Sequence, residues 1–179
     1  MQKKIAFILL LITSFWSFAS KDKAIEEFTL NDQQILLASE ILDTLESNHL
    51  IKKEYASIRH ESFEVFIDRL DPNKTIFTSE ELVNLLSHAN GNIDLEKDLE
   101  LAFKLFNLYV SRYQERYQRQ IDFLNTAQSE SFDTPRALLR DLSEIERLSS
   151  LDDLNALWID LSTNDVIQLM LSGNTLEEA

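Results

Sequence analysis

Apolar residues recur at three- and four-residue intervals along most of this chain, the spacing that puts side chains on one face of an α-helix. Ile35, Ala38, Ile41, Leu42 and Leu45 share a face of a first helix, which the spacing ends around Ser47-Asn48-His49. Phe63, Phe66, Ile67 and Leu70 mark a second. Asp71-Pro72 stops it, because the residue before a proline is pushed out of the helical region. Asp71-Pro72-Asn73-Lys74 reads as a turn with proline in its favoured second position.

Thr78 with Glu81 forms the signature of a capping box, so a third helix is predicted to start there. Gly91-Asn92 separates it from a fourth. From Ile93 to about Ala127 neither Pro nor Gly interrupts, and Leu95, Leu99, Phe103, Phe106, Val110, Tyr113, Tyr117 and Leu124 form a predicted apolar stripe. A helix of some 30 residues spans about 45 Å. Thr134-Pro135 is a further start signal, followed by Ala137, Leu138, Leu142, Ile145 and Leu148. Ser150 with Asp153 opens a last long helix through Leu154, Leu157, Trp158, Leu161, Val166, Leu169 and Met170. Gly173 is placed to end it. Thr175 and Glu178 read as the cap of another. The whole chain holds 2 Gly and 2 Pro, too few turn residues for a β-rich fold. The expected fold is all-α, a helical bundle or bent helical array of about five to seven helices, one of them long.

The N-terminal segment follows a different pattern. Lys3 and Lys4 precede the apolar run Ile5 to Ile12, and Ser17-Phe18-Ala19 puts small residues at the positions a signal peptidase reads. Residues 1–19 are therefore expected to be a cleavable signal peptide; the run falls short of the roughly 20 residues a spanning helix needs. The expected domain is 20–179, without stable membrane insertion after cleavage. From Ser20, 160 residues remain (179 minus 19), enough for one domain with a core.

The formal net charge is −14, which repels phosphate backbones and anionic lipid heads; nucleic acid is not an expected partner. The chain has no cysteine, so an exported domain here depends on packing rather than disulfides, which fits a bacterial periplasm.

No candidate catalytic, cofactor-binding or metal-ligating residues emerge. His49, His60 and His88 share no ligand spacing, and there is no Cys to complete a zinc site. Asp71-x-Asn73-x-Thr75 begins like a calcium loop, but Ile76 and Leu82 stand where that loop needs Gly and Glu. No Gly-rich elbow supports a serine nucleophile. The carboxylate pairs Glu26-Glu27, Glu80-Glu81 and Asp152-Asp153 are ordinary in acidic helices. Arg112, Arg116 and Arg119 are the basic cluster left to pair with the surplus acids, and Trp158 and Phe106 are expected core anchors.

Three stretches resemble, in order and rough spacing, the N-terminal helical domain of the tail-specific (carboxyl-terminal processing) proteases. They are the aromatic helix running through Phe63 and Phe66 into Leu70-Asp71-Pro72, Ile76-Phe77 and Ser79-Glu80-Glu81; the Phe/Tyr ladder from Phe103 to Tyr117; and Leu154-Asn155-Ala156-Leu157-Trp158 with Leu169 to Gly173. His49-Leu50 departs from the family's His-Tyr pair, and residues 128–148 resemble it least. The resemblance implies a helical region that precedes PDZ and Ser-Lys peptidase domains, neither of which lies within these 179 residues. It implies no cofactor and carries over no catalytic residue. The expected function is that of a non-catalytic periplasmic module acting by contact with a protein partner, namely a peptidase, adaptor or substrate protein. The alternatives are the front fragment of a full protease, or an independent acidic helical binding protein.

Overall fold

The computed structural model describes residues 26–48, 54–87, 91–127, 132, 142 and 145–178. Among these residues are five α-helices and no strand: α1 (Asp32–Asn48), α2 (Tyr55–Leu70), α3 (Ser79–Ser87), α4 (Leu95–Thr126) and α5 (Leu151–Leu171). The all-α expectation is met. The expected signal segment, residues 1–19, lies outside the described residues.

α4 is the spine, and α1, α2 and α5 pack against it. Its 32 residues extend about 48 Å. The core is small and sits where α2, the loop after it, α3 and the first half of α4 meet. Phe63, Ile67, Ile76, Phe77, Leu101 and Leu105 are buried there, with Phe66, Leu82, Tyr109 and Trp158 packed around them.

Helix ends follow local chemistry. Asn31 and Gln34 exchange side-chain and backbone hydrogen bonds at the start of α1. The Thr78–Glu81 capping box forms as expected: Glu81 N–H donates to Thr78 Oγ1 at 3.1 Å, and Thr78 N–H to Glu81 Oε2 at 2.9 Å. The Ser150 hydroxyl accepts from Asp153 N–H at the start of α5. That helix ends on Gly173 at φ +104°, with Gly173 N–H donating to Met170 O and Asn174 N–H to Leu169 O. This bond pair is a Schellman closure, and its positive φ suits glycine. Beyond it, Thr175 and Glu178 form the expected cap, around a single turn.

Four expectations need correction. The face of α4 that turns inward is not the stripe of Leu95, Leu99, Phe103, Phe106, Val110, Tyr113, Tyr117 and Leu124. Asp98, Leu101, Leu105 and Arg116 are buried, whereas Tyr113, Tyr117 and Leu124 are exposed. The inward face is offset because Asp98 and Arg116 find partners across the interface. Phe106, expected as a core anchor, is half-buried and meets Phe28 edge-on, with ring centroids 5.1 Å apart.

In α1, Ile35, Ala38 and Leu42 are half-buried, but Ile41 and Leu45 face solvent, because a helix docked on one neighbour has only one covered side. The helix expected after Thr134-Pro135 lies mostly outside the described residues. Its described end, residues 145–148, is not helical. There the carbonyls of Ile145 and Leu148 accept from Lys74 Nζ at 2.8 Å and Ser79 N–H at 2.9 Å instead of from helical amides.

Candidate functional site

The most buried polar cluster is built on the loop between α2 and α3. Asp71 ends α2 and is 1% exposed. Its Oδ1 accepts from Thr75 N–H at 2.8 Å and its Oδ2 from Phe77 N–H at 3.1 Å. One carboxylate thus replaces the backbone partners that an irregular buried loop would otherwise lack. Lys74 takes a left-handed φ of 56°, which tightens the turn so that both amides point at Asp71.

Residues distant in sequence close the cluster. Arg147 pairs with Asp71, donates to Phe77 O at 3.2 Å, and stands 5.9 Å from the Phe77 ring centre. The Trp158 indole N–H donates to Thr75 O at 2.6 Å. Arg116, from α4, donates to Ile76 O at 3.1 Å and to Asn155 Oδ1 at 2.9 Å. Arg116 as a whole is 2% exposed, and its Nε has no hydrogen-bond partner among the described residues. Burial, and then the nearby positive charge of Arg112, lower its affinity for the proton. Arg112 is also partly buried. Its hydrogen bonds to Glu81 and Glu115 outweigh that burial and raise its pKa.

A second cluster fastens α2 to α4. The buried Asp98 carboxylate accepts from Tyr55 Oη at 2.8 Å, Arg59 Nε at 2.6 Å and an Arg59 terminal nitrogen at 2.5 Å. Burial first, and then the bond to Asp98, push the Tyr55 phenol well above its ordinary 10.0. The Asp98 bond raises Arg59. Along the far half of α4, Gln120 donates to Ser162 Oγ at 2.9 Å, and Ser162 and Thr163 donate to carbonyls one turn back in α5. These small buried hydroxyls satisfy themselves within their own helix while lying against α4.

A cleft of about 850 Å³ opens between α2 and α3, walled by Phe63, Leu82, Leu86 and Ile93, with Arg59 and Arg147 on its lining. Both arginines are held by Asp98 and Asp71, so the cleft presents mainly an apolar wall.

These contacts tie the α2–α3 loop, α2 and α5 to α4. Asp71, the residue whose spacing suggests a calcium loop, turns inward onto amides and an arginine. His60 is exposed beside Glu64 on α2, while His49 and His88 lie outside the described residues. No group of three or more metal-ligating side chains converges among the described residues. No helix among them is long and apolar enough to cross a membrane. Of the arginine cluster, Arg112 pairs with acids, Arg116 is buried against neutral oxygens, and Arg119 is exposed. Sequence reasoning missed the inward roles of Asp71, Asp98, Arg116 and Arg147, because the side chains they pair with lie 39 to 76 residues away.

These features define a class: an all-α domain on one long spine helix, locked by buried arginine–carboxylate and arginine–carbonyl contacts around a Leu-Asp-Pro turn. The family model of the tail specific protease N-terminal domain matches residues 41–179. The chain belongs to that family; the match is to the N-terminal domain and not to a peptidase domain. No curated protein matches it.

Proposed function

We propose that this chain is a non-catalytic helical module, exported to the periplasm, that works by protein–protein contact in a proteolytic system. The observation that carries the reading is the family match, which covers the N-terminal domain of tail-specific proteases over residues 41–179. The commitment of the buried charged groups supports it. Asp71, Asp98, Arg59 and Arg147 are each engaged in holding the fold. What such a domain offers a partner is its surface.

The test is capture from a periplasmic extract of the host, with the exported protein as bait, at low and at roughly physiological ionic strength. Reproducible recovery of a peptidase, an adaptor or a peptidase substrate is the expected result. Recovery of none of these at either ionic strength overturns the proposal.

A further inference from the structure

One face of α1 has no partner among the described residues. α1 packs on α4, and its half-buried residues include Ile35, Ala38 and Leu42. Beside that contact runs a row at i, i+4 and i+8: Leu37, Ile41 and Leu45, which are 55%, 52% and 47% exposed. Residues four apart on a helix are surface neighbours, so the three make a continuous apolar strip two turns long. Next to it runs a second exposed row, Asp32, Leu36, Glu40 and Asp43. No cation pairs with these three acids among the described residues, and α1 contains no Lys or Arg at all.

Charge selects the occupant. A second copy laid along this strip would bring the Asp32, Glu40 and Asp43 of both chains together with no cation from either helix between them. An anionic surface is repelled in the same way. What the two rows complement is a helix with apolar side chains on one face and Lys or Arg along its flank: the apolar row takes the partner's Leu-like anchors, and the acidic row takes its cations. Leu36, Leu37 and Glu40 precede the stretch matched by the family model, so much of this face is not part of what relates the chain to its family.

We infer that α1 is a docking face for a cationic amphipathic helix of a partner protein. This rests on the protein-contact reading and gives it a location and a chemistry. The probe is a synthetic helical peptide with Leu at i, i+3, i+4 and i+7 and Lys on its flanks, its binding to the full chain followed by fluorescence anisotropy. An otherwise identical peptide with Glu for Lys is the comparison. The Lys peptide is expected to bind and the Glu peptide not to. The double variant Glu40→Lys/Asp43→Lys is expected to weaken binding about tenfold or more. Leu37→Ser/Ile41→Ser is expected to weaken it similarly, with an unchanged helical circular dichroism spectrum. A matched reversal on another helix, Asp152→Lys/Asp165→Lys, should leave binding within about twofold, as expected of a distant site. Equal loss from the α5 reversal, no loss from either α1 variant, or sedimentation as a dimer that Leu37→Ser/Ile41→Ser dissolves, would each overturn the inference. The extract experiment above stands apart: it can fail to recover a proteolytic partner while the peptide binds α1, which would sink the proteolytic role and leave this surface intact.

Discussion

Replacing Asp71 by Asn keeps the side chain's size and removes its charge. The amide retains one acceptor oxygen, but its NH2 must face either an amide N–H or Arg147, which are all donors. At least one of the three contacts, from Thr75 N–H, Phe77 N–H and Arg147, therefore becomes donor against donor. A hydrogen bond to a charged group contributes about 1.5–3 kcal/mol, and breaking a buried ion pair by removing one partner costs about 3–5 kcal/mol. Arg147 keeps its bond to Phe77 O and some solvent contact, which places the expected loss near the lower end, about 3 kcal/mol. With a urea slope of about 2 kcal/mol/M, the unfolding midpoint should fall by about 1.5 M.

The assay is urea unfolding followed by helical circular dichroism, for the natural chain, Asp71→Asn, Arg147→Met and the double variant. Because the two residues touch, the losses should fail to add, with a coupling of about 1.5 kcal/mol or more. Additive losses, or a loss for Asp71→Asn below about 1 kcal/mol, would refute the view that this carboxylate organises the loop.

Trp158→Phe keeps most of the ring packing but removes the indole donor to Thr75 O; a loss of about 1–2 kcal/mol is expected by the same urea titration. Thr78→Ala removes the cap at the start of α3 and should cost about 1 kcal/mol, read as a lower melting temperature. Tyr55 governs the alkaline limb. Its folded pKa is raised above the ordinary 10.0, so its contribution is whole below pH 10 and is lost as pH rises further, where the unfolded chain ionises and the folded one resists. Tyr55→Phe should therefore lower stability at neutral pH and show a shallower decline above pH 10, and parallel profiles for the two proteins would contradict this.

Much of the fold is legible along the chain because its determinants are local. The Thr78–Glu81 box, Ser150 with Asp153, and Gly173 each act within a few residues and appear where their patterns place them, and helical spacing marks all five described helices, though Ile145 and Leu148 keep that spacing without a helix. The faces are harder to read. A charged residue counts as solvent-facing in any local pattern, yet Asp98, Leu101, Leu105, Tyr109, Arg112 and Arg116 keep three- and four-residue spacing along the inward side of α4. That row becomes visible once paired charges are admitted to a core. The partners that admit them, Tyr55 and Arg59 for Asp98 and Asn155 and Ile76 for Arg116, come from other helices and loops. Asp71 likewise reads locally as a helix stop, and nothing near it announces Arg147.

The bonds that Arg147 and Trp158 send back to residues 71–77 also set an order of events during synthesis. At roughly 5–20 residues per second, α2 emerges several seconds before Trp158 does. Until then Asp71 has no arginine and Thr75 O has no indole donor, so the loop cannot be sealed away from water at a tolerable cost. The first half of this chain must wait, open and hydrated, for its second half. A chain cut anywhere between α4 and Arg147 would thus lose more than its missing residues: it would leave the α2–α3 turn with a carboxylate that has no arginine and a carbonyl that has no indole donor.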